Sequence, residues 1–242
     1  MRKVWLISKR ELIYFFSSWS GYVIMAVCLF ISGILFNAFS LTATPRLSSE
    51  VLEQFFYQTS GVAMIAALLL SMRLISEERS NSTIMLLYTS PVTETQIILG
   101  KYISALLFFT ILQLISIYMP ALIFVNGKVS IAHIITGYIG VILLGSAVIS
   151  IGLFASCLCS SQLLSGVLGA VMVVVFLVFW MLSSIVDPPF KDLFMYLAIH
   201  NNHFLPFQRG TISIAHVVFY VCVNFFFIEC SLKTLESRRC RG

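Results

Sequence analysis

The sequence predicts an all-α polytopic membrane protein with six transmembrane helices, an N-terminal amphipathic interfacial helix and a short cytoplasmic helix between spans two and three. Three observations carry this. The 242 residues are 59% hydrophobic and only 10% charged, with a mean hydropathy of +0.98, whereas soluble domains carry about 25% charged residues. Long stretches lack Asp, Glu, Lys and Arg altogether. The basic residues fall unevenly between those stretches.

The first 18 residues place Trp5, Leu12 and Phe16 on one helical stripe, with Lys3 and Arg10 roughly opposite. That pattern suits a helix lying in the membrane interface, with Glu11 beside Arg10 on its polar side. The basic start does not read as a cleaved leader. The apolar run begins late, is long, and lacks a small-residue cleavage pattern.

A span needs roughly 20 apolar residues. Charge-free runs lie between Glu11 and Arg46, Glu53 and Arg73, Lys101 and Lys128, and Arg209 and Glu229, each sufficient for one helix. Val129–Val186 is a run of 58 residues, long enough for two, with the polar cluster Cys157-Leu158-Cys159-Ser160-Ser161-Gln162 as the break. The expected spans are Trp19–Leu41, Ser60–Ile75, Ile98–Val125, Ile131–Ser156, Leu163–Val186 and Thr211–Cys230. Continuous apolarity favours helices over the alternating ten-residue strands of a barrel. Thr42–Thr59 and Asp187–Gly210 read as outer loops, the second with an apolar piece, Leu193–Leu197, too short to cross. In domain terms, residues 1–18 form the interfacial helix, 19–232 the six-helix transmembrane body and 233–242 a basic tail. Gly152-x-x-x-Ser156 and Gly166-x-x-x-Ala170 in spans four and five predict close helix packing.

Eleven Lys and Arg residues lie on the side of the termini and four on the other. Basic loops stay inside, so both termini are expected in the cytoplasm. The net charge of +5 is then a topology and headgroup signal, and no nucleic-acid partner is expected. Six dispersed cysteines give no disulfide framework. Cys157 and Cys159 read as packing residues. His200 and His203 read as loop residues in preference to metal ligands.

No span carries a deep charge of the kind that marks proton or ion relays. Gly100-Lys101 and Gly127-Lys128 lack the remainder of a P-loop, and no metalloprotease or nucleophile-elbow pattern is present. The chain is therefore expected to have no catalytic site, metal or cofactor of its own.

The loop after span two carries the most local information. Ser80, Asn81 and Ser82 are good N-caps. Ile84, Leu87 and Tyr88 form an apolar stripe over a short helix, Ser82–Tyr88. Pro91 removes Ser90 from helix. Thr93-Glu94-Thr95-Gln96 matches a capping box opening span three. A short helix with an exposed apolar stripe requires a partner surface.

This loop resembles the signature region of ABC type-2 transporter permeases. Glu77-Glu78-Arg79, Thr83, Leu86-Leu87, Thr89-Ser90-Pro91-Val92 and Gly100-Lys101 match its pattern; Ser82 stands where Gly is usual and Met85 where an acid is usual. Lys9-Arg10-Glu11 followed by Tyr14–Ser18 is similar to the gliding-motility-like branch. The specific motifs cover about 50 residues, and span count and topology extend the likeness to nearly the whole chain. The resemblance implies an inner-membrane permease subunit working as a homodimer or heterodimer with a separate ABC ATPase subunit, which would bind the ATP and Mg. It implies a coupling helix in which Glu77, Glu78, Arg79, Ser82, Thr83, Ile84, Leu87, Tyr88 and Pro91 meet that ATPase. Lipids and a periplasmic accessory protein are the other expected partners. The cargo class is a lipid, polysaccharide or hydrophobic compound, or force passed to an envelope machine. The alternative is a membrane scaffold or assembly protein without transport; an ion-coupled carrier is disfavoured by the missing buried carboxylate.

Overall fold

The computed structural model describes residues 2–40, 47–81, 83, 92–126, 130–188 and 190–239, and all regular structure among them is helical. Helix α1 (Arg2–Ser17) breaks at Ser18, whose backbone is extended, and α2 (Trp19–Leu35) follows at once, ending in a π-helical turn, Phe36–Ser40. A Cβ on Gly21 would stand 2.1 Å from the Phe15 carbonyl oxygen, so this corner requires glycine. The chain continues through α3 (Ser48–Ser71), α4 (Ser76–Ser80), α5 (Glu94–Ile115), α6 (Tyr118–Asn126), α7 (Ile131–Leu158), α8 (Gln162–Ser183), α9 (Phe190–Leu197), α10 (Leu205–Gln208) and α11 (Ile214–Arg239).

Among the described residues, six helices are long and apolar enough to cross a membrane: Trp19–Phe39, Ser48–Ser80, Glu94–Ile123, Ile131–Leu158, Gln162–Ser183 and Ile214–Arg238. α7 is the axis of the bundle. In its most apolar window 78% of residues are buried, against 17% in the first, fifth and sixth spans. It packs on α3, α5, α8 and α11. Its glycines make the room: Cβ atoms on Gly137, Gly140 and Gly145 would fall within 2.5 Å of Phe56, Phe207 and Phe109. Gly152 does the same for Ser71, and Gly169 of α8 approaches Leu68 and the Gly152 backbone. The small residues expected at the contact of spans four and five therefore also admit α3. Meanwhile Leu163, Val167, Val171 and Val174 on α8 and Val221, Phe225 and Phe226 on α11 remain exposed. Exposed apolar area costs about 25 cal/mol per Å² in water, so a surface of this kind belongs in lipid.

Two boundaries differ from expectation. The second span begins at Ser48 and not at Ser60. Leu52, Phe55, Phe56 and Thr59 are buried at helical spacing, so residues expected to form an outer loop continue α3 instead. α11 likewise runs past Cys230 to Arg239. The third span is interrupted at Ser116–Ile117, because Pro120 cannot donate to the Ser116 carbonyl; α6 restarts from there. The apolar piece near Leu193 forms α9, which lies on α8 with Phe194 stacked on Phe179 at 5.6 Å. Gly210, at φ 79°, turns the chain into α11.

Candidate functional site

The site lies at the end of the bundle that carries both termini, where α3 stops. Its last turn unwinds over Met72–Ile75, and the freed amides of Ile75 and Ser76 both donate to Ser156 Oγ, at 2.9 Å each. That hydroxyl, on the axial helix, fixes where α4 begins. Arg79 of α4 donates to the Cys157 and Cys159 carbonyls at 2.9 and 3.3 Å, and Arg238 of α11 to the Leu158 carbonyl at 2.6 Å. Carbonyls at a helix C-terminus lack intrahelical donors and carry partial negative charge; two guanidiniums satisfy them here. Arg79 thus ties α4 to the end of α7.

The two acids of α4 turn toward α1 and α5. Glu77 receives Arg73 at 3.1 Å and the Tyr14 hydroxyl at 2.9 Å. The hydrogen bond to Glu77 is the main cause that raises the Tyr14 pKa. Arg73 also donates to Ser20 of α2. Glu78 pairs with Lys101 at 2.8 Å, and the same ammonium reaches Glu11 at 3.3 Å, which Arg10 flanks at 3.2 Å. The Lys101 side chain is 3% exposed. Three cations and three carboxylates therefore balance in two adjoining clusters, Arg73–Glu77 and Arg10–Glu11–Lys101–Glu78, which join α1, α2, α4, α5 and the turn after α3. They line a cleft of about 320 Å³ with Phe15, Leu74, Asn81 and Thr83.

Gly100 explains how α1 reaches this position. A Cβ there would lie 2.8 Å from Ile7 Cγ2 and 3.3 Å from the Val4 carbonyl oxygen. The helices touch backbone to side chain, and the Phe108 ring lies tilted against those of Phe15 and Phe16, at 5.3 and 5.1 Å. This divides the stripe expected to face lipid. Leu12 and Phe16 pack against the bundle core, Ser8 and Phe15 are buried, and Trp5, Leu6 and Ile13 form the exposed apolar face. Docking on α5 rotates the helix away from the simple amphipathic solution.

Of the loop residues singled out in the sequence, Glu77 and Glu78 lie in these clusters, and Arg79 lies beside them on the carbonyls at the end of α7. Thr83 is an exposed turn residue whose amide and hydroxyl both donate to the Glu78 carbonyl, at 2.9 and 3.2 Å. Ser82, Ile84, Leu87, Tyr88 and Pro91, and with them the expected helix Ser82–Tyr88, lie outside the described residues. The capping box is present: Thr93 Oγ1 accepts from the Gln96 amide at 3.4 Å, and the Gln96 side chain accepts from the Thr93 amide at 3.5 Å. Sequence reasoning did not place Tyr14, Arg73 and Lys101 in the site. Lys101 offered a signal, being a cation two turns inside an otherwise apolar helix.

At the opposite end the histidines are packed into the fold. His200 lies 2.7 Å from Ser60 Oγ; His203 lies 2.8 Å from His216 and stacks on Phe219 at 3.6 Å. Burial lowers the pKa of both His200 and His203. No group of three His, Cys, Asp or Glu residues with metal-binding proximity occurs among the described residues. The arrangement at the termini-bearing end is one of charge pairing between helices, suited to passing displacement from a loop into a bundle.

A family model described as ABC-2 family transporter protein matches residues 4–201. None of the curated proteins compared with the chain matches it.

Proposed function

The chain belongs to the ABC-2 family of transporter proteins, and from that premise we propose that it is a permease subunit energised by a separate ABC ATPase, which supplies the ATP and Mg chemistry. The observation that carries the reading is the clasp at α4. Glu77, Glu78 and Arg79 connect one short helix to α1, α5 and α7 at once. A partner that pushed on residues 82–91 would load all three helices together, because buried ion pairs resist separation. In this scheme Ser82, Thr83, Ile84, Leu87, Tyr88 and Pro91 belong to the ATPase-side surface, and the acids form its inner anchor.

The excess of basic residues at the termini-bearing end supports a cytoplasmic location for both termini and an inner-membrane address. Exposed Trp5, Leu6 and Ile13 beside Lys9 and Arg10 support an interfacial α1 that meets lipid headgroups. The run Lys9-Arg10-Glu11 and Tyr14–Ser18 supports the gliding-motility-like branch. Such a subunit works with a second permease chain, identical or related, and with a periplasmic accessory protein where the cargo must leave the membrane. The cargo class is a lipid, polysaccharide or hydrophobic compound, or force delivered to an envelope machine.

The test is copurification. The full chain, tagged at native expression and cross-linked in membranes, is expected to bring down an ABC ATPase identified by mass spectrometry. Repeated recovery of the chain without any nucleotide-binding subunit contradicts the proposal.

A further inference from the structure

Gly61 sits in the interior of α3, where glycine is about 1 kcal/mol less favourable than alanine. The glycines of α7 are explained by what they face. Gly61 is not: nothing lies within 4 Å of where its Cβ would be. The space it leaves is part of a cavity of about 300 Å³ between α3, α8 and the segment before α10.

The wall of this cavity is part polar and part apolar, and its lining carries no Lys, Arg, Asp or Glu. Tyr57, Gln58, His200 and Asn201 line it. His200 is held by Ser60 at 2.7 Å and Asn201 at 2.8 Å, and its burial favours the neutral imidazole. Among the described residues the Gln58 amide and the Tyr57 hydroxyl have no hydrogen-bond partner. These groups therefore present unused donors and acceptors of both kinds. Met64 and Leu177 form the apolar side, and exposed Ile65 continues it outward.

Depth is fixed by helix geometry. Gly61 lies twelve residues from Arg73, about 18 Å at 1.5 Å per residue, in a hydrocarbon layer of about 30 Å. The cavity thus opens at the level of the leaflet away from the termini. A phosphate headgroup would meet no cation there. Hydroxyls, which donate and accept, match two amides and a phenol, and an acyl chain matches Met64, Leu177 and Ile65.

We propose that this cavity binds the headgroup of a neutral, polyhydroxylated amphiphile of the glycolipid class from the leaflet away from the termini. The site rests on the fold alone and requires neither nucleotide nor ATPase, so it stands or falls separately from the permease reading.

The experiment uses the purified full chain, exchanged into a zwitterionic detergent to remove sugar-bearing surfactants. It is mixed with equal amounts of monogalactosyl diacylglycerol, phosphatidylglycerol and phosphatidylcholine of matched chains, and native mass spectrometry counts retained lipid. Wild type is expected to retain the galactolipid about tenfold over either phospholipid, the worth of one or two net hydrogen bonds. Gly61→Leu extends a side chain into this space and should abolish the preference; Gln58→Ala should reduce it severalfold at unchanged Tm. Equal retention of the three lipids by wild type overturns the proposal, as does a preference undiminished in Gln58→Ala.

Discussion

Lys101 Nζ lies 2.8 Å from Glu78 Oε1, and this contact joins the loop after the second span to the third. Both side chains are largely removed from solvent, and Glu11 of the N-terminal helix shares the ammonium. One lysine thus closes a contact between three separate stretches of sequence.

Removing that lysine strands two carboxylates. Breaking a buried pair from one side costs about 3–5 kcal/mol. Lys101→Met is expected to lower stability by that order in denaturant titration of the solubilised protein. Adding Glu78→Gln should recover a large part of the loss, because the stranded charge is gone. A single and a double variant of equal stability would show that the pair is not closed in the folded protein.

Two glycines should respond to alanine with opposite signs. Gly100→Ala places a methyl against Ile7 and the Val4 carbonyl, so α1 must move off α5. A net fall in Tm is expected despite a helix-propensity gain of about 1 kcal/mol. Gly61→Ala meets open space and should raise Tm. Protease cleavage near Ser18 should accelerate in the first variant only.

Acid should destabilise the end away from the termini. Burial lowers the pKa of His200 and His203 below the ordinary 6.5, so the unfolded chain takes up protons first as pH falls. Their contribution to stability is complete above 6.5 and is lost as pH drops toward the folded values. Tm at about pH 5 is expected to lie below that at about pH 7.5, and His200→Gln should make the dependence shallower. An unchanged pH profile in that variant removes His200 from the account.

Much of the architecture could be read in advance for a simple reason. Lipid excludes charge, so gaps between charged residues mark spans, and the Cys157–Gln162 cluster marks a turn because it interrupts the longest gap. The capping box was legible because Thr93 and Gln96 are near neighbours. The start of α3 was not. Leu52, Phe55 and Phe56 are interleaved with Glu50, Glu53 and Gln54, and hydropathy averages over a stripe that helical spacing would have resolved. The ion network was illegible because its members come from the N-terminal helix, the loop and the third span, and only folding brings them together. Gly100 could be recognised as part of a motif, yet its role depends on Ile7, far away in sequence.

The measurement that bears most directly on the central claim is ATP-driven work by the complex when the acids of α4 are neutralised. Glu77→Gln with Glu78→Gln keeps the size of each side chain, replaces one acceptor oxygen by a donor amide, and removes the charge that holds Arg73 and Lys101. The account predicts normal expression, retained association with the ABC ATPase, and a fall of about tenfold or more in the ATP hydrolysis that the permease stimulates, since charge-assisted hydrogen bonds are each worth about 1.5–3 kcal/mol. A double variant that expresses normally and supports undiminished ATP-driven function would contradict the assignment of the α4 clasp as the coupling element.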